Sequence, residues 1–195
     1  MRSPSPRANG VPPAPRDAMR CFIAAWPTDE TRLALERLIT ELKTRVPDGR
    51  AMQARNLHLT LAFIGELEPA RAATLAHDCN DLAADPCDWT IDTLGSFPRA
   101  RVAWAGGPIN QQLAACAARA RTLLDECGIP FDRKVFVPHV TLFREVRRFE
   151  CAGPLATPVS WRSTHVALYA AARDAGGPVY RRVSATGAAD AAVNI

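Results

Sequence analysis

From Met19 the chain turns apolar, and Met19-Arg20-Cys21-Phe22-Ile23-Ala24-Ala25-Trp26 reads as a buried strand stopped by Pro27 and Thr28. Apolar residues then recur at helical spacing, at Leu35, Leu38, Ile39, Leu42 and Val46. Thr28 is the candidate N-cap, and Asp29 and Glu30 fall in the first turn. A second helix opens at Pro69 and gathers Ala72, Leu75, Ala76, Cys79 and Leu82 on one face. A third carries Leu113, Cys116, Ala117, Ala120 and Leu124, and ends at Gly128, followed by Pro130. Between them lie strand-like runs at 57–64, 89–94, 101–105, 139–144, 163–169 and 178–183. The strands are short, alternate in polarity and are interspersed with helices. That pattern predicts an α+β fold with largely antiparallel sheets rather than a doubly wound parallel one.

Both ends differ from this middle. Residues 1–18 hold Pro4, Pro6, Pro12, Pro13 and Pro15 without apolar periodicity, so they read as a disordered extension and not as a signal peptide. Residues 185–195 read as a frayed tail, which leaves 19–184 as the folded domain.

The chain has 195 residues, the size of one domain or of two small lobes sharing a core. With 48% apolar and 23% charged residues it falls in the soluble globular class. No apolar run approaches the roughly 20 residues of a membrane span, so no membrane partner is expected. The formal charge is +4, and Lys43 and Lys134 are the only lysines. Arginine's fork suits phosphate oxygens, but compositional bias explains the arginines at least as well, and charge does not decide function. Six cysteines (Cys21, Cys79, Cys87, Cys116, Cys127, Cys151) show no C-x-x-C spacing. Cys79 and Cys116 fall on apolar helix faces, and the expectation is reduced thiols in a cytoplasmic protein.

The informative feature is a repeated tetrapeptide. His58-Leu59-Thr60-Leu61 in the first half is answered by His139-Val140-Thr141-Leu142 in the second, an offset of 139 − 58 = 81 positions. On a strand, alternate side chains share a face. His58 and Thr60 therefore face one way, with Leu57, Leu59, Leu61 and Phe63 the other. His139 and Thr141 pair likewise, opposite Val140 and Leu142. Histidine titrates near pH 6.5, so one imidazole can accept a proton while another donates one. A phosphodiester displacement needs both, and the threonine hydroxyls can bond the non-bridging oxygens. A single H-x-T is weak evidence, but two copies in a chain with four histidines are not. The rival is a zinc site built from His58, His77, His139 and His165. His77 reads as helix surface, His165 as structural, and no H-E-x-x-H or H-x-x-E-H spacing occurs, so no metal or other cofactor is expected.

At these residues the sequence resembles the two-histidine phosphoesterases, specifically the RNA 2′,3′-cyclic phosphodiesterases once described as 2′-5′ RNA ligases. The resemblance spans roughly residues 19–184. It rests on Met19-Arg20-Cys21-Phe22-Ile23-Ala24, Asn56-Leu57-His58-Leu59-Thr60-Leu61, Phe63-Ile64-Gly65-Glu66 and Phe97-Pro98. It continues through Arg101-Val102-Ala103-Trp104-Ala105-Gly106, Pro138-His139-Val140-Thr141-Leu142, Leu168-Tyr169 and Gly176-Gly177-Pro178-Val179-Tyr180. The resemblance implies two pseudo-symmetric halves with outer helices, their H-x-T strands facing across a central basic cleft. It implies metal-independent hydrolysis of RNA 2′,3′-cyclic phosphate ends or small cyclic nucleotides to 2′-phosphomonoesters; a monomer is expected. His58 would be proton donor and His139 proton acceptor, with Thr60, Thr141 and Arg144 on the phosphate and Phe22 lining the pocket. Strict alternation puts Arg144 opposite His139, so its role requires a bulge or the strand's end. Phe22 reads equally well as core. Phe143 stands where the family usually has a small residue, a change expected to reshape the cleft rim. Two other functions fit the same motifs: a non-catalytic module that binds RNA ends, and the reverse joining of RNA ends through a 2′-5′ bond.

Overall fold

The computed structural model describes residues 17–84 and 87–184. Apart from Asp17 and Ala18, the stretches read as extension and tail lie outside them. In chain order the elements are β1 (Met19–Pro27), α1 (Asp29–Leu42), β2 (Arg50–Ala51), β3 (Leu59–Leu67), α2 (Pro69–Asp78), β4 (Trp89–Phe97), β5 (Val102–Gly106), α3 (Gln111–Glu126), β6 (His139–Arg144), β7 (Gly153–Trp161), β8 (Ser163–Asp174) and β9 (Gly177–Arg182). The strands pair antiparallel into one sheet, ordered β7-β4-β5-β6-β3-β1-β8-β9, with β2 beside β6. This is the α+β architecture expected, with the two halves fused into a single sheet.

The helices form for the reasons the pattern gave. The Thr28 side chain accepts a hydrogen bond from the Thr31 amide, and Leu35, Leu38, Ile39 and Leu42 are buried beneath α1. Pro69 opens α2, where its missing N–H costs nothing. Asn110 caps α3 through the Leu113 amide, and Gly128, at φ 61°, turns the chain away after it. The apolar faces of all three helices join one core beneath the sheet, with Cys21, Ile23 and Ala25 of β1 and Val166, Leu168 and Ala170 of β8.

The two halves meet at a seam. β7-β4-β5-β6 lies on one side and β3-β1-β8-β9 on the other, joined between β6 and β3 by the register pair Leu59↔Val140. Each half thus places its H-x-T strand at the midline. β1 flanks β3 as β5 flanks β6. Behind the seam α1 packs on β1, β6 and β7, and α3 on β3, so helices from each half reach strands of the other.

Two sequence readings are corrected. Residues 153–161 form an edge strand that the sequence pattern does not predict, because Pro154 and Pro158 interrupt any strand-like run and proline is tolerated only at such an edge. Nor are all six cysteines free: Cys87, just before β4, and Cys116, on the buried face of α3, are joined in a disulfide with Cα atoms 6.3 Å apart. The tertiary fold brings together cysteines 29 positions apart, which local spacing cannot signal. Cys21, Cys79, Cys127 and Cys151 are free thiols.

Candidate active site

Alternation along β1 sends Cys21, Ile23 and Ala25 into the core and leaves Phe22 and Ala24 in a smaller apolar cluster on the other face, with Ala167 and Tyr169. That face carries the cleft, about 570 Å³ in volume, lined among others by Phe22, His58, Thr60, Arg144 and Tyr180. Phe22 is therefore both core and pocket wall: 5% exposed, with its ring 5.0 Å from that of His58.

Simple alternation fails in both motif strands, at equivalent places. Opposite β1 the register jumps between Ala24↔Thr60 and Ile23↔Ala62, so Leu61 is the extra residue of a bulge. Opposite β5 it jumps between Trp104↔Thr141 and Ala103↔Phe143, making Leu142 the extra residue. Each bulge buries two successive residues, Leu61 with Ala62 and Leu142 with Phe143. Beyond them the parity is reversed. Arg144 returns to the face of His139 and Thr141 and lines the cleft, so the geometric condition set for the expected phosphate role is met. Phe63, expected in the aliphatic face, is instead 36% exposed and lines the cleft. Phe143 lies not at the rim but in the core, fully buried.

The two histidines are held alike. His58 Nδ1 lies 2.7 Å from the carbonyl oxygen of Asn56, and His139 Nδ1 lies 2.8 Å from that of Val137, in each case the residue two positions earlier. A carbonyl can only accept, so Nδ1 carries the proton and Nε2 is the nitrogen left for chemistry. The Asn56 side chain is itself anchored, donating to the Pro178 carbonyl (2.8 Å) and accepting from the Tyr180 amide (3.2 Å). Around His58, Trp26 stacks parallel at 5.4 Å and Tyr180 presents its edge at 4.9 Å. Around His139, Phe97 packs edge-on at 4.9 Å and Trp104 at 6.2 Å. Trp104 needs Gly95 beneath it, because a Cβ there would sit 2.2 Å from the indole. The sequence pattern alone assigns no role to Asn56, Trp26, Tyr180, Phe97 or Trp104. Their positions relative to the histidines come from pairing between distant strands.

Burial lowers the pKa of both imidazoles. His58 falls to about 4, chiefly through desolvation, with Arg144 and His139 adding to the drop. His139 is also lowered by burial and by Arg144, though the Val137 carbonyl opposes the shift. Among the described residues the Thr60 and Thr141 hydroxyls have no hydrogen-bond partner, and Arg144 has only a long 3.4 Å contact to the Tyr180 hydroxyl. Two neutral imidazoles, two free hydroxyls and a guanidinium suit a phosphate ester whose own charge would supply the proton affinity the site lacks.

The other histidines lie elsewhere. His77 is exposed on α2. His165 Nε2 lies 2.5 Å from the Tyr169 hydroxyl and its Nδ1 2.8 Å from Thr164 Oγ1, a structural arrangement. Among the described residues no three His, Cys, Asp or Glu side chains are grouped to hold a metal ion.

The family described as LigT like Phosphoesterase matches residues 26–104. An RNA 2′,3′-cyclic phosphodiesterase of Thermotoga maritima is 31% identical over 131 residues, covering 65% of this chain and 70% of that protein. Another, from Escherichia coli K12, is 30% identical over 138 residues, covering 69% and 78%. This chain belongs to the LigT-like phosphoesterases. The crystal structure of E. coli LigT complexed with 3′-AMP is similar to it, with a TM-score of 0.72 at 27% identity over 86% of this chain and 96% of that one.

Proposed function

We propose that this protein hydrolyses RNA 2′,3′-cyclic phosphate ends to 2′-phosphomonoesters, with His58 as proton donor and His139 as proton acceptor. One observation carries the reading. The two H-x-T motifs stand on either side of one seam, each imidazole fixed through Nδ1 to a carbonyl two residues earlier, so that each offers Nε2. Membership of the LigT-like family and the names of the relatives from T. maritima and E. coli support the same activity.

In the mechanism proposed, the cyclic phosphate sits between the histidines. Thr60, Thr141 and Arg144 bond its non-bridging oxygens and stabilise the charge that builds in the transition state. His139 Nε2 takes a proton from the attacking water. His58, protonated with help from the bound phosphate, gives one to the departing 3′ oxygen on the far side of phosphorus. Water's oxygen bonds to phosphorus, the P–O3′ bond breaks, and a 2′-phosphate remains. Phe22, Trp26 and Tyr180 keep the donor imidazole out of bulk water. Residues 19–184 are proposed to act as one catalytic unit without a metal ion, and RNA-end binding fits the nucleotide complex of E. coli LigT.

The test is to incubate an RNA ending in a 2′,3′-cyclic phosphate with the protein, with and without chelator, and follow it by phosphorus NMR. A 2′-phosphate product formed equally in both is expected. Binding without turnover would favour the non-catalytic module. A product carrying mainly 3′-phosphate would exchange the histidine roles or reverse the substrate.

A further inference from the structure

The cleft continues past His58. Its lining also takes in Arg20 near the start of β1 and Arg173 near the end of β8, together with Phe63 and Ala171. Arg20 lies two strand residues beyond Phe22, the ring that packs on His58, a step of about 6.7 Å. Its guanidinium is held 5.1 Å over the Phe63 ring, which keeps it at the cleft instead of free in solvent. Neither Arg20 nor Arg173 has an ion-pair partner among the described residues. The acid adjacent to Arg173, Asp174, is committed to Arg55 through bonds of 2.7 and 3.0 Å. Among the described residues no carboxylate lines the cleft. The motif chemistry accounts for Arg144 but leaves, among the described residues, two cations without an ion-pair partner in the lining of the same groove.

We infer that the Arg20–Arg173 end of the cleft is a subsite for the 5′-phosphate of the nucleotide bearing the cyclic phosphate, so that the preferred substrate is an RNA chain end and not a cyclic mononucleoside. The inference rests on the proposed hydrolysis and names its substrate class. In an RNA chain that 5′-phosphate is the link to the preceding residue. It carries the negative charge the two guanidiniums lack, at a position fixed by the ribose held at the histidines.

The experiment compares adenosine 2′,3′-cyclic phosphate, the same compound with a 5′-phosphate, and a dinucleotide ending in 2′,3′-cyclic phosphate. Each is assayed with the wild-type protein and with Arg20→Gln and Arg173→Gln, both exposed positions. The 5′-phosphate should raise kcat/KM by about tenfold or more, the worth of a charge-assisted bond, mainly through KM. Either variant should shrink that gain, and so should added salt. The dinucleotide should do at least as well as the 5′-phosphorylated monomer. Equal turnover of the first two compounds, or a gain that both variants retain, overturns the subsite. A gain seen with the terminal 5′-phosphate but lost in the dinucleotide overturns the chain-end reading. Calorimetric binding of adenosine 2′,5′-bisphosphate against adenosine 2′-phosphate reads the same subsite without turnover. It should favour the bisphosphate in the wild type and lose that preference in the variants. Absence of any hydrolysis with this preference intact would count against the proposed reaction alone.

Discussion

His58 shows how one residue's surroundings set its pH behaviour. With its pKa near 4 in the free protein and that of His139 also below 6.5, few molecules hold one protonated and one neutral imidazole at pH 7. The kcat/KM profile reports the free enzyme, so its optimum should fall on the acid side of neutrality. Bound phosphate adds negative charge and raises both values, so kcat should peak at higher pH than kcat/KM. Coincident optima at pH 8 would contradict this. Replacing either histidine by alanine should cost about 10²–10⁴ in turnover, and replacing Thr60 or Thr141 about 10–10². Asn56→Ala should act at one remove. It frees the His58 turn from β9 and leaves the Tyr180 amide and Pro178 carbonyl unpaired, costing about 1–3 kcal/mol in urea unfolding. It should also slow turnover without moving the kcat/KM pH limbs. The motif residues were legible from sequence because repetition at an offset of 81 is visible in a single chain. Asn56 was not, because its partners lie more than 120 positions away.

Among the elements, β3 and β6 matter through their bulges as much as through their side chains. The three helices and most strands were legible, because their periodicity is local and their caps are ordinary. The bulges had a signal too: Leu61-Ala62 and Leu142-Phe143 are paired apolar residues where strict alternation expects one. Alternation alone sent Arg144 and Phe63 to the wrong face, since a one-residue slip reverses every side chain beyond it. The bulge depends on residue count, so Leu142→Val should keep turnover within about tenfold while packing weakens by about 1 kcal/mol. Deleting Leu142 should restore alternation, turn Arg144 toward the core and remove at least the 10–10² expected of a lost phosphate contact. Steady-state kinetics and urea unfolding on the two variants separate these outcomes. A deletion variant as active as the substitution would show that the bulge does not aim Arg144.

For the whole molecule, the buried imidazole couples folding to pH. The unfolded chain takes up a proton near pH 6.5 that folded His58 refuses until about 4. The stability contribution of neutral His58 is therefore complete above about pH 6.5 and is lost as pH falls toward 4. Unfolding midpoints at pH 7 and 5 should differ, and His58→Gln should flatten the difference. The Cys87–Cys116 disulfide closes a separation of 29 residues, so its reduction should cost about 3–4 kcal/mol. Thiol counting should find the four free cysteines before reduction and six after. Mechanically, a sheet that narrows to the Leu59–Val140 rung at its midline concentrates load there, while continuous ladders stiffen the strands on either side. α1 and α3 lash the halves together from behind, so the compliant motion is a flexing at the front, like a bound book eased open at its spine. His58 and His139 stand on opposite pages. The width between them is then an elastic quantity, and a phosphate gripped from both sides should act as a clasp. Amide exchange at Leu59 and Val140 should slow when product binds, while the β1–β8 ladder, lying within one page, keeps its rate.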